Sequence, residues 1–260
     1  MKDFKKKILA DKTRYITGAF LILLAVVVFY LNDLLIFWAV LGVIFLVSFH
    51  ETLRLHQKLY NFGFNKFYYL IAVLVWVLAY FNQRPVESAL FVGMLLAGIL
   101  AYRTSNMQKS YVLVYPAVPF LCLFALFKDF GVGVVIWLVV VVVVADVGAY
   151  FGGRLFGTTP LSAASPNKSL EGALIGFVFS SLIGGIVGLE SVGSEKFLPA
   201  LGISALTAFS SILGDLYESY LKRRVGVKDS GHILPGHGGM LDRFDAMLFG
   251  AIALHFLLLF

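Results

Sequence analysis

The chain has 260 residues, of which 60% are hydrophobic and 14% charged, with a mean hydropathy of +0.89 and a formal net charge of +6. That composition excludes a soluble globular domain and falls within the range of polytopic membrane proteins. Nucleic-acid binding is excluded as well, because the cations are spread over several short loops, as an anionic inner leaflet favours, rather than gathered into one basic face.

The opening MKDFKKKILADKTRY is basic like a signal-peptide n-region, but no small-residue cleavage pattern follows it, so the segment is expected to be retained. Nine apolar runs then come in order: 14–31, 34–49, 67–81, 86–102, 111–127, 131–151, 172–189, 198–220 and 244–260. Each is read as a transmembrane helix. The runs 34–49 and 67–81 are short for a span and imply tilt or a locally thin hydrocarbon layer. The sole cysteine, Cys122, lies in the fifth run, which rules out disulfides and cysteine-rich metal sites and predicts a buried, inert thiol. The sixth run opens GVGVVIWLVVVVVV, whose β-branched residues would favour a strand in water. In lipid the backbone must satisfy its own hydrogen bonds, so a helix is predicted. The expected fold is an all-α polytopic integral membrane protein with about nine transmembrane helices and no room for an additional soluble domain. No internal repeat or inverted pair of broken spans is evident, which weakens a transporter reading.

Alternating the loops across the bilayer with the N-terminus inside puts 18 of the 21 Lys and Arg residues on the inner side. Only Arg84, Lys128 and Lys196 fall outside. The asymmetry predicts a cytoplasmic N-terminus and supports the count of nine, since one missed span would scramble every loop beyond it.

Two polar segments then share the cytoplasmic side. In ADVGAYFGGRLFG, Asp146 sits at membrane depth ahead of glycines and Arg154, and the loop continues to SPNKSLEG with Lys168 and Glu171. Asp146 is either functional or paired with Arg154. In SSILGDLYESYLKRR, the positions Asp215, Glu218, Ser219 and Lys222 share one helical face. A carboxylate at that depth requires a cation, a metal or water. A magnesium ion that keeps several waters suits such a site, and an internal pair of Lys222 with Asp215 or Glu218 is the simpler alternative. Asp242 and Asp245 repeat the pattern at the entry of the last helix with Arg243 turned elsewhere, and helix capping accounts for one of them more easily than for both. From Lys222 onward come the cations Arg223, Arg224 and Lys228, with Gly226, Gly231, Gly236, Gly238 and Gly239 beside them. Cations after a span are ordinarily leaflet anchors. Glycines beside them add backbone that can approach a phosphate closely. No GxxxxGK[ST] string occurs. His232 and His237 lack a helical zinc-binding frame, so a hydrogen-bonding or phosphate-contacting role suits them better.

The stretch Ser219 to Asp245 resembles the signature of the phosphatidate cytidylyltransferases, or CDP-diacylglycerol synthases. It matches at Ser219, Lys222, Arg223, Lys228, Asp229, Gly231, Pro235, His237, Gly238, Gly239, Asp242, Arg243 and Asp245. DVGAYFGGRLFG and SPNKSLEG are similar to a second block of that family, with Ser169 where Thr is common. The resemblance spans Asp146 to the C-terminus and implies transfer of the cytidylyl group of CTP to phosphatidate, giving CDP-diacylglycerol and pyrophosphate for phospholipid biosynthesis. It further implies Mg²⁺, with a second cation as an additional expectation, and a homodimer in a bacterial cytoplasmic (inner) membrane. Residues 1–130, about five spans, would then be an N-terminal transmembrane region and 131–260 the catalytic one. On this basis Asp215, Asp242 and Asp245 are expected to hold metal, with Lys222, Arg223 and Lys228 acting alongside them. Lys168, Ser219, His237, Gly238, Gly239, Arg243, Asp146 and Glu171 are expected to bind or orient substrates. A lipid or polyprenol kinase would release a nucleoside diphosphate instead. A CDP-alcohol phosphotransferase is disfavoured by the absence of its DGxxAR string, and a transporter or lipid-binding protein would use the same aspartates as ion sites.

Overall fold

A computed structural model describes residues 2–63, 66–191 and 196–260, with side chains for Thr13 and, within those ranges, from Tyr15 onward. The N-terminal cations Lys2, Lys5, Lys6, Lys7, Lys12 and Arg14 of the charge count therefore lie outside the described side chains. Among the described residues the α-helices are α1 (Lys2–Leu31), α2 (Leu34–Tyr60), α3 (Phe67–Phe81), α4 (Pro85–Tyr102), α5 (Val118–Phe130), α6 (Val132–Phe156), α7 (Leu170–Ser191), α8 (Phe197–Arg224) and α9 (Leu241–Leu258). A polar antiparallel hairpin, β1 (Pro160–Ser162) and β2 (Ser165–Ser169), joins α6 to α7. Among the described residues each apolar run but one falls on its own helix, the valine run included; the run 111–127 divides at Tyr115, and its second part forms α5. The chain is an all-α polytopic membrane protein; among the described residues six helical stretches are long and apolar enough to span, with two shorter ones at Tyr15–Leu31 and Phe67–Phe81. α9 differs in carrying Asp242, Arg243 and Asp245 in its first turns, so its apolar part begins only at Ala246.

Local chemistry sets several boundaries. Asp33 caps α2, its Oδ1 accepting the Ile36 N–H at 2.9 Å. That helix continues past the end of its apolar run to Tyr60 and stops at Asn61, which takes the left-handed conformation with φ 49°. The carbonyls of Tyr80 and Asn82 at the end of α3 accept from Lys128 Nζ at 2.9 and 2.7 Å, a cation at a helix C-terminus. Ahead of α5 the helical path breaks at Tyr115, which is extended (φ −127°, ψ 119°) before Pro116.

α5 is the centre of the bundle, with every residue from Pro119 to Phe127 buried. Its Phe120 ring lies 5.6 Å from Phe45 of α2 and 5.7 Å from Phe244 of α9, and Phe127 stacks on Phe37 at 4.1 Å. α6 and α7 meet differently, through glycine. A Cβ built at Gly176 would lie 2.3 Å from the Ala145 carbonyl, so only glycine permits this approach of the two backbones. Trp137 of α6 donates to Ser204 Oγ of α8 at 2.9 Å, tying the third helix of that group to the first. Outward-facing Phe91, Met94, Leu95, Val143, Phe179 and Phe209 form an apolar surface that suits hydrocarbon rather than water.

Candidate active site

The close crossing of α6 and α7 sets Asp146 and the hairpin beside the C-terminal end of α8 and the start of α9. A cleft of about 780 Å³ opens there. Its walls include Asp146 from α6, Lys168 from β2, Asp215, Ser219, Lys222 and Arg223 from α8, Lys228 from the following loop, and Asp242, Arg243 and Asp245 from α9. The two polar segments of the sequence thus form one site.

Two lysine–carboxylate groups dominate it. Lys168 Nζ bonds directly to Asp215 Oδ2, linking the hairpin to α8. Burial of Lys168 works against its charge, but the Asp215 and Asp146 carboxylates more than offset this and raise its pKa above the ordinary lysine value. Asp146 also lies within electrostatic reach of Asp215, Asp245 and Arg243. In the second group Lys222 Nζ donates to Glu218 Oε2 at 2.9 Å and to Asp242 Oδ1 at 2.7 Å. The Glu218 side chain is fully buried, and it also lies against Asp245.

Asp242 is the junction of the site. Besides Lys222 it accepts the backbone N–H of Ser230 at 3.0 Å and of Gly239 at 2.7 Å on Oδ2. It therefore binds α8, the loop and the N-terminus of its own helix at once, where the helix dipole favours an anion. The loop itself reverses at Leu234–His237, with His237 N–H donating to the Leu234 carbonyl at 2.9 Å. Pro235 and Gly236 at φ 77° are the central residues of a type II turn. α1 holds the outer side of that turn: Thr17 Oγ1 donates to the Pro235 carbonyl at 3.2 Å, and Gly18 faces the His237 ring.

Placement of the remaining candidates is more varied. His237, Gly238 and Gly239 stand behind the cleft rather than on its lining. Glu171 also stands off it, its carboxylate accepting from Thr158 N at 3.1 Å, Thr158 Oγ1 at 2.7 Å and Thr159 N at 3.2 Å. That fixes the turn entering the hairpin, and Thr158 and Thr159 do border the cleft. Ser169 Oγ accepts the Gly172 N–H at 3.1 Å and so caps α7. Arg243, which helical spacing sets apart from Asp242 and Asp245, nonetheless reaches the cleft wall. Of the simpler ion-pair alternatives, Glu218–Lys222 is present. Asp215 instead pairs with Lys168, and Arg154 meets the Tyr150 hydroxyl at 3.4 Å rather than Asp146.

Glu51 of α2 was not legible as part of this region. It follows the apolar run 34–49, is 4% exposed, and directs its carboxylate at the loop and the first residues of α9. The available signal was an acidic residue within one turn of a span end, in HETLRLH. Among the described residues no group of three or more His, Cys, Asp or Glu is arranged to hold a metal ion by itself.

A family model described as the cytidylyltransferase family matches residues 12–260. The chain is 54% identical over 257 residues to the phosphatidate cytidylyltransferase of Helicobacter pylori strain J99, covering 98% of this chain and 95% of that protein. A phosphatidate cytidylyltransferase of Thermotoga maritima is 31% identical over 259 residues, covering 92% of this chain and 93% of the relative. One from Bacillus subtilis is 42% identical over 134 residues, covering 50% and 49%.

Proposed function

The chain belongs to the cytidylyltransferase family, and on that premise we propose that the cleft between α6, the hairpin, α8 and α9 transfers the cytidylyl group of CTP to phosphatidate. The protein is a membrane nucleotidyltransferase whose products are CDP-diacylglycerol and pyrophosphate. A phosphatidate phosphate oxygen attacks the α-phosphorus of CTP. The bond from that phosphorus to the bridging oxygen breaks, and pyrophosphate leaves with the electron pair. The attacking oxygen is already anionic, so the reaction needs positioning and charge neutralisation more than a strong base.

One observation carries the reading. Cations from three separate segments, Lys168, Lys222 with Arg223, and Lys228, face a single cleft whose carboxylates hold two of them in place. A triphosphate and a lipid phosphate together bring the negative charge for which those lysines are arranged. Ser219 lies among them, and among the described residues no His lines the cleft to activate it, which supports direct transfer between phosphates.

Mg²⁺ is proposed as the cofactor, with Asp215 and Asp242 as its ligands and Asp245 behind them. The donors fit: all are hard carboxylate oxygens on the wall of an open cleft, as suits a metal that keeps waters and shares substrate oxygens. Magnesium there supplies charge neutralisation on the phosphate oxygens. Asp215 and Asp242 would hold the ion once their present partners, Lys168 and Lys222, turned to substrate phosphate oxygens. Asp146, close to the same charges, is the residue we assign to a second cation.

The inner-membrane location, the cytoplasmic site and a homodimer are further parts of the proposal. The charge asymmetry of the loops and the lipid-facing apolar surface support the first two. The test is purified protein in detergent given labelled CTP, phosphatidate and Mg²⁺, with labelled CDP-diacylglycerol and pyrophosphate as the expected products. Release of CDP instead would make the protein a lipid kinase, and no product across lipid and salt conditions would sink the assignment. A single-chain mass in nanodiscs would remove the dimer.

A further inference from the structure

Glu51 belongs to the half of the chain that contributes nothing to the cleft wall, yet its side chain is buried against the signature loop. Its Oε2 accepts the Leu241 N–H at 2.8 Å and the Ser230 hydroxyl at 3.0 Å, and its Oε1 accepts the Met240 N–H at 3.1 Å. Among the described residues no Lys or Arg pairs with it. A buried carboxylate without a cation is expensive unless hydrogen bonds compensate it, and here the compensation is the N-terminus of α9.

Glu51 and Asp242 share this terminus between them. Three successive amides, those of Gly239, Met240 and Leu241, go to Asp242, Glu51 and Glu51 in turn. Ser230 is held by both, its N–H by Asp242 and its hydroxyl by Glu51. The glycines around this point have the same cause. A Cβ at Gly231 would stand 2.2 Å from Glu51 Oε1, with no atom outside Glu51 among its nearest neighbours. One at Gly239 would stand 2.6 Å from Glu51 Oε2 and closer still to Ser230 Oγ. At these two positions the space a side chain would need is taken by a carboxylate of the protein.

We propose that Glu51 is a positioning residue for the transfer reaction: it clamps Ser230 and the start of α9 so that Asp242 and Lys222 present their charges to the cleft. The proposal rests on the reading of that cleft as the cytidylyl-transfer site. Displacement of such groups by an ångström can cost about 100-fold in rate without removing any of them.

The test combines kinetics with limited trypsinolysis on the full-length protein in detergent, using CTP, phosphatidate and Mg²⁺. Glu51→Ala should lower kcat by about 100-fold while KM for phosphatidate moves less than about threefold, because no substrate contact is lost. Tryptic cleavage after Arg224 and Lys228 should accelerate by about tenfold as the loop loosens. Glu51→Gln, which keeps one acceptor oxygen, should recover about tenfold of the lost kcat. Gly231→Ala should impair the wild type but cost nothing further in the Glu51→Ala background, since its clash is with the deleted side chain. A Glu51→Ala kcat within about threefold of wild type, or a Gly231→Ala loss that adds in full, overturns the proposal. If Glu51→Ala does not fold, Glu51→Gln decides: a wild-type kcat and wild-type trypsin resistance overturn it. A wild-type protein that makes no CDP-diacylglycerol sinks the functional reading instead, while the trypsin result still reports on the clamp.

Discussion

Lys222 pairs with two carboxylates, Glu218 and Asp242, whose side chains are only 0% and 4% exposed. Removing one partner of a buried ion pair costs about 3–5 kcal/mol because the remaining charge is left stranded. Lys222→Met should therefore lower the thermal midpoint in detergent strongly. Glu218→Gln should lower it much less, since Lys222 keeps Asp242. A Lys222→Met protein as stable as wild type would mean that water reaches this pair freely. Asp215 makes a different prediction, because its partner Lys168 is on the partly exposed hairpin. Asp215→Asn should leave folding near normal but cut turnover at limiting Mg²⁺ by roughly 100-fold, as loss of one electrostatic stabiliser does. Near-normal turnover would remove Asp215 from the metal assignment. Helical spacing put Asp215, Glu218, Ser219 and Lys222 on one face, and that much was readable. Periodicity could not separate their duties: Asp215 and Ser219 line the cleft, while Glu218 lies behind it as the buried anchor of Lys222.

The elements were legible wherever lipid dictates them. A backbone in hydrocarbon has to be helical, so among the described residues the apolar runs became helices, the valine run included, with the one at 111–127 broken at Tyr115. Where the chain leaves the apolar layer that rule lapses. The hairpin 160–169 and the extension of α2 to Tyr60 both escaped the pattern, and they carry Lys168 and Glu51 respectively. The α6–α7 contact rests on glycine, with Gly176 admitting the Ala145 carbonyl. Gly176→Val should force these helices apart and displace Asp146 and the hairpin together. We expect a loss of at least about 2 kcal/mol, within the range for overpacking, together with loss of turnover. The measurement is thermal unfolding alongside product formation; a fully active Gly176→Val protein would show that the crossing does not position the site.

For the whole molecule, the single buried Cys122 allows orientation to be tested cleanly. In a Cys122→Ser background, cysteine at Lys228 should react with an impermeant maleimide only from the cytoplasmic side, and cysteine at Arg84 only from the opposite side. The reverse labelling would invert the topology and put the cleft beyond the reach of cytoplasmic CTP. Composition, the apolar runs, the charge asymmetry and most of the charged residues that line the cleft were readable in the sequence alone, because hydrophobicity, helical spacing and residue chemistry are local properties. Which charges meet was decided only by the tertiary structure. Lys168 reaches Asp215 across 47 positions and Glu51 reaches Leu241 across 190. No periodicity encodes those encounters, which depend on how the helices cross and on the need of each buried charge for a partner.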